Sequence, residues 1–215
     1  MSWTISLRIY WAVLVCCLGQ AASADIKPLG MSPWGQMYEA AIDYQSFEQN
    51  FNFQKETEWC WAASISNIFA FYGHPVSQEK IVSSVYRVPY NLPALAAIVV
   101  ASRVNRAWTD DNGHSFHATL TAAYDFQAHV NAITNAYIVN ELSNGRPLLI
   151  CNTHHCMVLA AVDFIQTPLR PIVRKVFVFD PWPLSPSSYR PLEESDWTAI
   201  QLGGQMMFIG AIKVQ

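Results

Sequence analysis

The chain's most reactive candidate is a cysteine placed at the start of a helix. In Thr57-Glu58-Trp59-Cys60-Trp61-Ala62 the cysteine opens a run in which Ala62, Ile65, Ile68, Phe69 and Tyr72 recur at helical spacing. Gly73, with Pro75 two residues on, supplies the stop. A helix N-terminus carries unpaired N–H groups and a partial positive charge, both of which favour thiolate, the nucleophilic form of cysteine. His155 opens the apolar run Cys156 to Val162, and an imidazole at the mouth of a strand is placed to act as a base. His154 is its rival, and because adjacent strand residues face opposite sides only one of the two can point at Cys60. Gln54, six residues before Cys60, could donate from its side-chain amide to an oxyanion, with the Cys60 backbone N–H as second donor. Asp180 ends a strand just before Pro181-Trp182. Each has an ordinary alternative: a buried small hydrophobe for Cys60, a surface position for Gln54 and His155, a turn for Asp180. What joins them is their order along one chain: Gln, Cys, His, Asp.

The cysteine count makes Cys60 stand out further. Arg8 is followed by the apolar run Ile9 to Leu18 and then by Ala22-Ser23-Ala24, which reads as a signal peptide cut after Ala24. Ten apolar residues are too few for a bilayer that needs roughly 20. The processed chain is therefore expected to be soluble and secreted or periplasmic. Cleavage removes Cys16 and Cys17 and leaves Cys60, Cys151 and Cys156. An odd number in an exported protein leaves one thiol unpaired. If residues 147–162 form a tight hairpin, Cys151 and Cys156 lie opposite each other and can bond, with Cys60 the thiol left over. A rival reading takes Cys151, His154, His155 and Cys156 as metal ligands, but so short a loop rarely wraps four ligands tetrahedrally and no second cluster adds to them.

The elements that must position these residues fall in two halves. Residues 25–53, with Pro28, Gly30, Pro33 and Gly35, read as an N-terminal arm carrying one short helix near Gln36 to Ile42. Helices are predicted over Cys60 to Tyr72, Ser77 to Tyr86, Pro93 to Val104 and Asn131 to Leu142, with a weak edge strand over Phe116 to Tyr124. After Gly145 the pattern changes to strands: the hairpin Pro147–Cys151 and Cys156–Val162, then Val173 to Asp180 and Gln205 to Val214. Helices first and strands second argue α+β, with a helical lobe over about 54–145 and a β lobe over about 146–215 of one domain, 54–215. The length of 215 residues fits one such domain.

In this order and context the chain resembles the papain-like cysteine peptidases: Gln54 six residues before Cys60-Trp61, His155 opening a core strand, and Asp180 two residues before Trp182. The tryptophan-rich Trp59 to Ser64 looks more like the compact bacterial branch, which includes secreted effector and toxin proteases. Glu58-Trp59 replaces the Gly-Ser-type pair of the plant and lysosomal enzymes, and Asp163 stands where a Gly usually follows the histidine strand. The resemblance implies a papain-like fold, with the nucleophile helix packed on an antiparallel sheet. It implies a Cys60–His155 thiolate–imidazolium pair, an oxyanion held by Gln54 and the Cys60 N–H, and an acyl-enzyme resolved by water. It also gives Asp180 the role of holding the imidazole, with Trp182 shielding that bond.

Composition narrows the alternatives. At 52% hydrophobic the chain can bury enough surface to fold, which excludes disorder. Its net charge of −3 provides no basic excess for a phosphate backbone, so no nucleic-acid partner is expected. The expected partner is a protein or peptide substrate, with no cofactor, no metal, no membrane contact after cleavage, and a monomeric state. Two other functions compete: a transglutaminase, deamidase or acyltransferase using the same residues with an amine acceptor, and an inactive homologue that binds without catalysis.

Overall fold

The computed structural model describes residues 26–94, 103–185 and 187–215. Strands β1 (Lys27–Ser32) and β2 (Gly35–Ala41) form a first hairpin, followed by helices α1 (Tyr44–Gln49), α2 (Cys60–Phe71) and α3 (Gln78–Tyr86). Next come β3 (Arg106–Thr109), β4 (Ser115–Asp125), β5 (Val130–Asn131) and helix α4 (Asn135–Ser143). The chain closes with β6 (Leu148–Asn152), β7 (Cys156–Gln166), β8 (Pro171–Phe179), β9 (Tyr189–Pro191), the short helix α5 (Glu194–Trp197) and β10 (Met206–Val214). The strands build one antiparallel sheet in the order β1-β2-β7-β6-β10-β4-β3, with β8 also on β7, β9 on β8 and β5 on β4. This is the α+β papain-like architecture expected.

Strand β7 is its axis. Ten of its eleven residues are buried, as a near-continuous apolar run requires when both faces are covered. Its first half pairs with β6 and its second half with β2, while β8 runs along its other edge. Helix α2 packs on β6 and β7, and its Trp61, Ala62, Ile65, Ile68 and Phe69 are all at most 2% exposed. Truncating Ile68 to Ala there would cost about 2–5 kcal/mol. Gly73, at φ 84°, ends the helix in the left-handed region that favours glycine.

The lobe boundaries differ from the expectation. Residues 26–53, expected as an arm, instead take part in the sheet: β2 joins it through Met37↔Ile165 to Ala41↔Ala161. The short helix comes later, where Asp43 Oδ1 accepts the N–H groups of Gln45 and Ser46. Nor is the half before residue 145 purely helical, since β4 lies inside the sheet between β10 and β3 rather than at an edge. Its alternation reads weakly because Thr121 is an extra residue: Leu120 pairs with Ile212 and Ala122 with Ala211. Such a bulge reverses which residues face inward, so period-two patterning breaks midway. The helix expected over Pro93 to Val104 lies mostly outside the described residues, as does the expected signal segment 1–24.

Candidate active site

Cys60 is the first residue of α2, next to N–H groups that no side chain caps, and no acidic residue occupies that turn. The tryptophans on either side are anchors. Trp59 Nε1 donates to Tyr90 O at 2.9 Å and Trp61 Nε1 to Leu92 O at 3.3 Å. Asn91 ties the same stretch down, accepting Glu58 N–H at 2.9 Å and donating to Thr57 Oγ1 at 3.0 Å. Between these two buried indoles the thiol stays half-buried and free.

His155 stands in the loop of the β6–β7 hairpin. Asn152 Oδ1 shapes that loop by accepting the N–H groups of His154 (2.9 Å) and His155 (2.8 Å). Cys151 and Cys156 pair directly across the strands and form a disulfide, as the hairpin spacing suggested. Both thiols are thereby consumed, which removes two ligands from the metal reading. Of the two histidines, His155 is the one turned inward and His154 the one left exposed. His155 Nε2 lies 2.6 Å from Asp180 Oδ1, and His155 shares one cleft with Cys60. Burial of the ring opposes its charged form, but the hydrogen bonds and charges of Asp180 and Cys60 outweigh it and raise the imidazole to about 9.

Asp180 is 3% exposed and fully partnered. Its Oδ1 accepts from the Trp182 N–H at 2.9 Å as well as from His155, and its Oδ2 accepts from Arg190 Nε at 2.8 Å and Nη2 at 2.7 Å. Burial pushes this carboxyl up, yet His155, the Trp182 N–H and Arg190 together hold it below the usual carboxylate range. The Trp182 ring meets the His155 ring edge-on at 6.5 Å, beside the Asp180–His155 bond. Arg190 is the residue that sequence reasoning missed. It reaches the carboxylate because β9 pairs Arg190 with Val178, two residues before Asp180, and no local motif marks that pairing.

Gln54 departs from expectation. Its backbone N–H donates to Pro181 O at 2.8 Å, so it does lie beside the Asp180 segment. Its side-chain amide, however, is 6% exposed and donates to Glu56 O and Thr57 O, both at 2.9 Å. Both amide hydrogens are spent on the loop that leads into α2, so the side chain shapes that loop and offers no free donor to the cleft. Two buried amides hold the stretch in place. Asn67 exchanges hydrogen bonds with the backbone of Asn52, and Gln78 bonds Phe53 O and Lys55 N–H. Cys60, His155, Asp180, Trp182 and Arg190 line one cleft of about 360 Å³, with Glu58 at its wall.

An antiparallel sheet crossed by a helix that begins at a free cysteine, facing a histidine braced by a carboxylate, defines a papain-like cysteine peptidase. Residues 41–202, most of the chain, match the model described as Peptidase_C39 like family, and the chain belongs to that family. None of the curated proteins compared with it matches. Two solved structures are similar at low identity. A double glycine motif protease from an AMS/PCAT transporter, solved with its leader peptide, is 14% identical over 76% of this chain and 89% of that one, with a TM-score of 0.41. UfSP from C. elegans is 16% identical over 82% of this chain and 34% of that one, with a TM-score of 0.47.

Proposed function

We propose that this cysteine peptidase uses Cys60 as nucleophile and His155 as acid and base, and that it is exported to act on protein or peptide chains. The observation that carries this reading is the free Cys60 thiol at a helix start sharing one cleft with an imidazole that Asp180 braces at 2.6 Å. Cys60 Sγ attacks the scissile carbonyl carbon, and the C–N bond breaks as His155 gives its proton to the departing amine. Water then adds to the thioester with His155 as base, releasing the acid and the thiol. The oxyanion is met by the Cys60 N–H at the helix start. A second donor from Gln54 requires it to release Glu56 O or Thr57 O. Export is supported by the signal-like residues 1–24 and by the disulfide, a bond that persists in oxidising compartments. The protein acts as a monomer in this reading. Carbamidomethylation by iodoacetamide, followed at each cysteine by mass spectrometry, tests it. Labelling of Cys60 at pH 6 that His155→Ala suppresses is the expected result. A Cys60 that labels only above pH 8, or equally in His155→Ala, overturns it.

A further inference from the structure

The end of the sheet away from the cleft has a different chemistry. Two turns lie side by side there, the β1–β2 turn around Pro33-Trp34 and the β7–β8 turn over Thr167 to Arg170. The register Met37↔Ile165, continued by two residues, sets Gly35 beside Thr167. Large apolar side chains project from both: Leu169 is 94% exposed, Met31 78%, Trp34 71% and Ile172 40%. The Arg174 guanidinium lies over the Trp34 ring, 4.9 Å from its centre, and Arg170 closes the second turn. Four basic side chains, Lys27, Arg170, Arg174 and Lys175, lie on these two hairpins, and Lys27 is answered by Glu39 across the β1–β2 ladder. Lys175 is answered by Asp163 across the β7–β8 ladder, and neither Arg170 nor Arg174 has a carboxylate partner among the described residues.

Single exposed apolar residues are ordinary, but a cluster of this kind marks a contact surface. A partner that fits must accept bulky apolar tips and offer negative charge at the level of the guanidinium groups. An anionic bilayer does both: tryptophan settles at the headgroup level, aliphatic tips reach the acyl boundary, and arginines meet the lipid phosphates. We infer that this pole docks the protein peripherally on anionic lipid. That departs from the expectation of no membrane contact after cleavage. It does not involve spanning, since no described helix is long and apolar enough to cross a membrane. Docking this way holds the cleft off the surface, because β7 runs from His155 to this pole over 11 residues, about 35 Å at roughly 3.4 Å per residue.

Cosedimentation of the purified protein with phosphatidylcholine vesicles, with and without phosphatidylglycerol, tests the inference. Binding is expected only to the anionic vesicles and weakens as salt rises. Arg170→Glu with Arg174→Glu is expected to weaken it about 30-fold, the equivalent of ~2 kcal/mol at ~1.4 kcal/mol per tenfold. Trp34→Ser with Leu169→Ser is expected to weaken binding to a similar degree. Unchanged thermal unfolding and unchanged Cys60 labelling establish that these variants fold, and Cys60→Ala is expected to bind vesicles like the wild type. Equal binding to both vesicle types, or variants that bind as well as the wild type, overturns the inference. So does concentration-dependent self-association lost in Trp34→Ser without vesicle binding, which assigns the pole to a second copy of the chain.

Discussion

The two ends of strand β7 are built on opposite principles. At its start the loop Thr153 to His155 is closed by a disulfide and capped by Asn152, and it delivers His155 to a carboxylate with a partner for every oxygen. At its end the turn Thr167 to Arg170 presents a nearly naked leucine and an arginine without a carboxylate. The first end follows the rule for buried polar groups: an unpaired donor or acceptor there costs about 1–3 kcal/mol, so the network must be complete. The second end breaks the usual rule for surfaces, which keep apolar side chains apart and charges mixed. One strand therefore holds both a site whose charges are answered from within the molecule and one whose charges await an answer from outside.

The strongest break of the comparison comes from removing the chemistry at one end. Cys60→Ala or His155→Ala is expected to lower kcat/KM on a peptide substrate about 10³-fold or more, while vesicle binding stays as it was. Loss of both properties together would mean that the two ends are not independent. Asp180→Asn comes next. Its Oδ1 already accepts from His155 and from the Trp182 N–H, so the new Nδ2 would face the Arg190 guanidinium, donor against donor. A fall in kcat of about 10–100-fold is expected on losing one such buried charge-assisted bond, and the alkaline limb of the pH–rate profile should move from about 9 toward the ordinary histidine value of 6.5. An alkaline limb that stays in place would show that another group holds the imidazole charged.

In the proposed mechanism Arg190, bonded to Asp180, acts as a positioning residue. Arg190→Met is expected to reduce kcat about tenfold with KM little changed, and Arg190→Lys should recover part of the loss. A change confined to KM would place the guanidinium on the substrate instead. The smallest effect falls on the hairpin tip. Cys151→Ser with Cys156→Ser is expected to lower unfolding free energy by about 2 kcal/mol, since the bond closes a short loop. Unchanged stability in urea titrations would show that Asn152 alone shapes the loop.

The paired end also responds to pH in a direction that can be worked out. His155 has a folded value raised to about 9 from 6.5, so its stabilisation is complete below about 6.5 and fades as pH rises toward 9. Asp180 is lowered from 3.8, so its contribution is present above that value and is lost as pH falls further. Calorimetry should find Tm decreasing from pH 6.5 to 9, and a flatter dependence in Asp180→Asn.

The helix from Cys60, the hairpin that offers His155 and the strand that ends at Asp180 were legible because each is a local pattern: 3.6-residue spacing, two apolar runs flanking a short loop, and a run stopped by proline. Less was legible where partners come from far along the chain. The alternation of β4 is weak because the bulge at Thr121 reverses it, and its place between β10 and β3 is set by strands distant in the chain. The stretch 26–53 conceals two strands because β1 pairs only with β2, and β2 enters the sheet through β7, more than 100 residues further along. The six-residue spacing from Cys60 picks out Gln54, but its amide donates to the carbonyls of Glu56 and Thr57 in its own loop.

The amino-acid order alone determined which atoms are available for chemistry: a thiol at a helix start, two adjacent imidazoles and an aspartate before Pro-Trp. Tertiary structure decided which imidazole meets the aspartate, what braces that aspartate, and which face of the molecule remains unanswered. The physical reason is that spacing specifies only neighbours within a turn or a hairpin. Charge pairing and burial depend on strands such as β7, β8 and β9, whose meeting is set by the packing of the whole sheet.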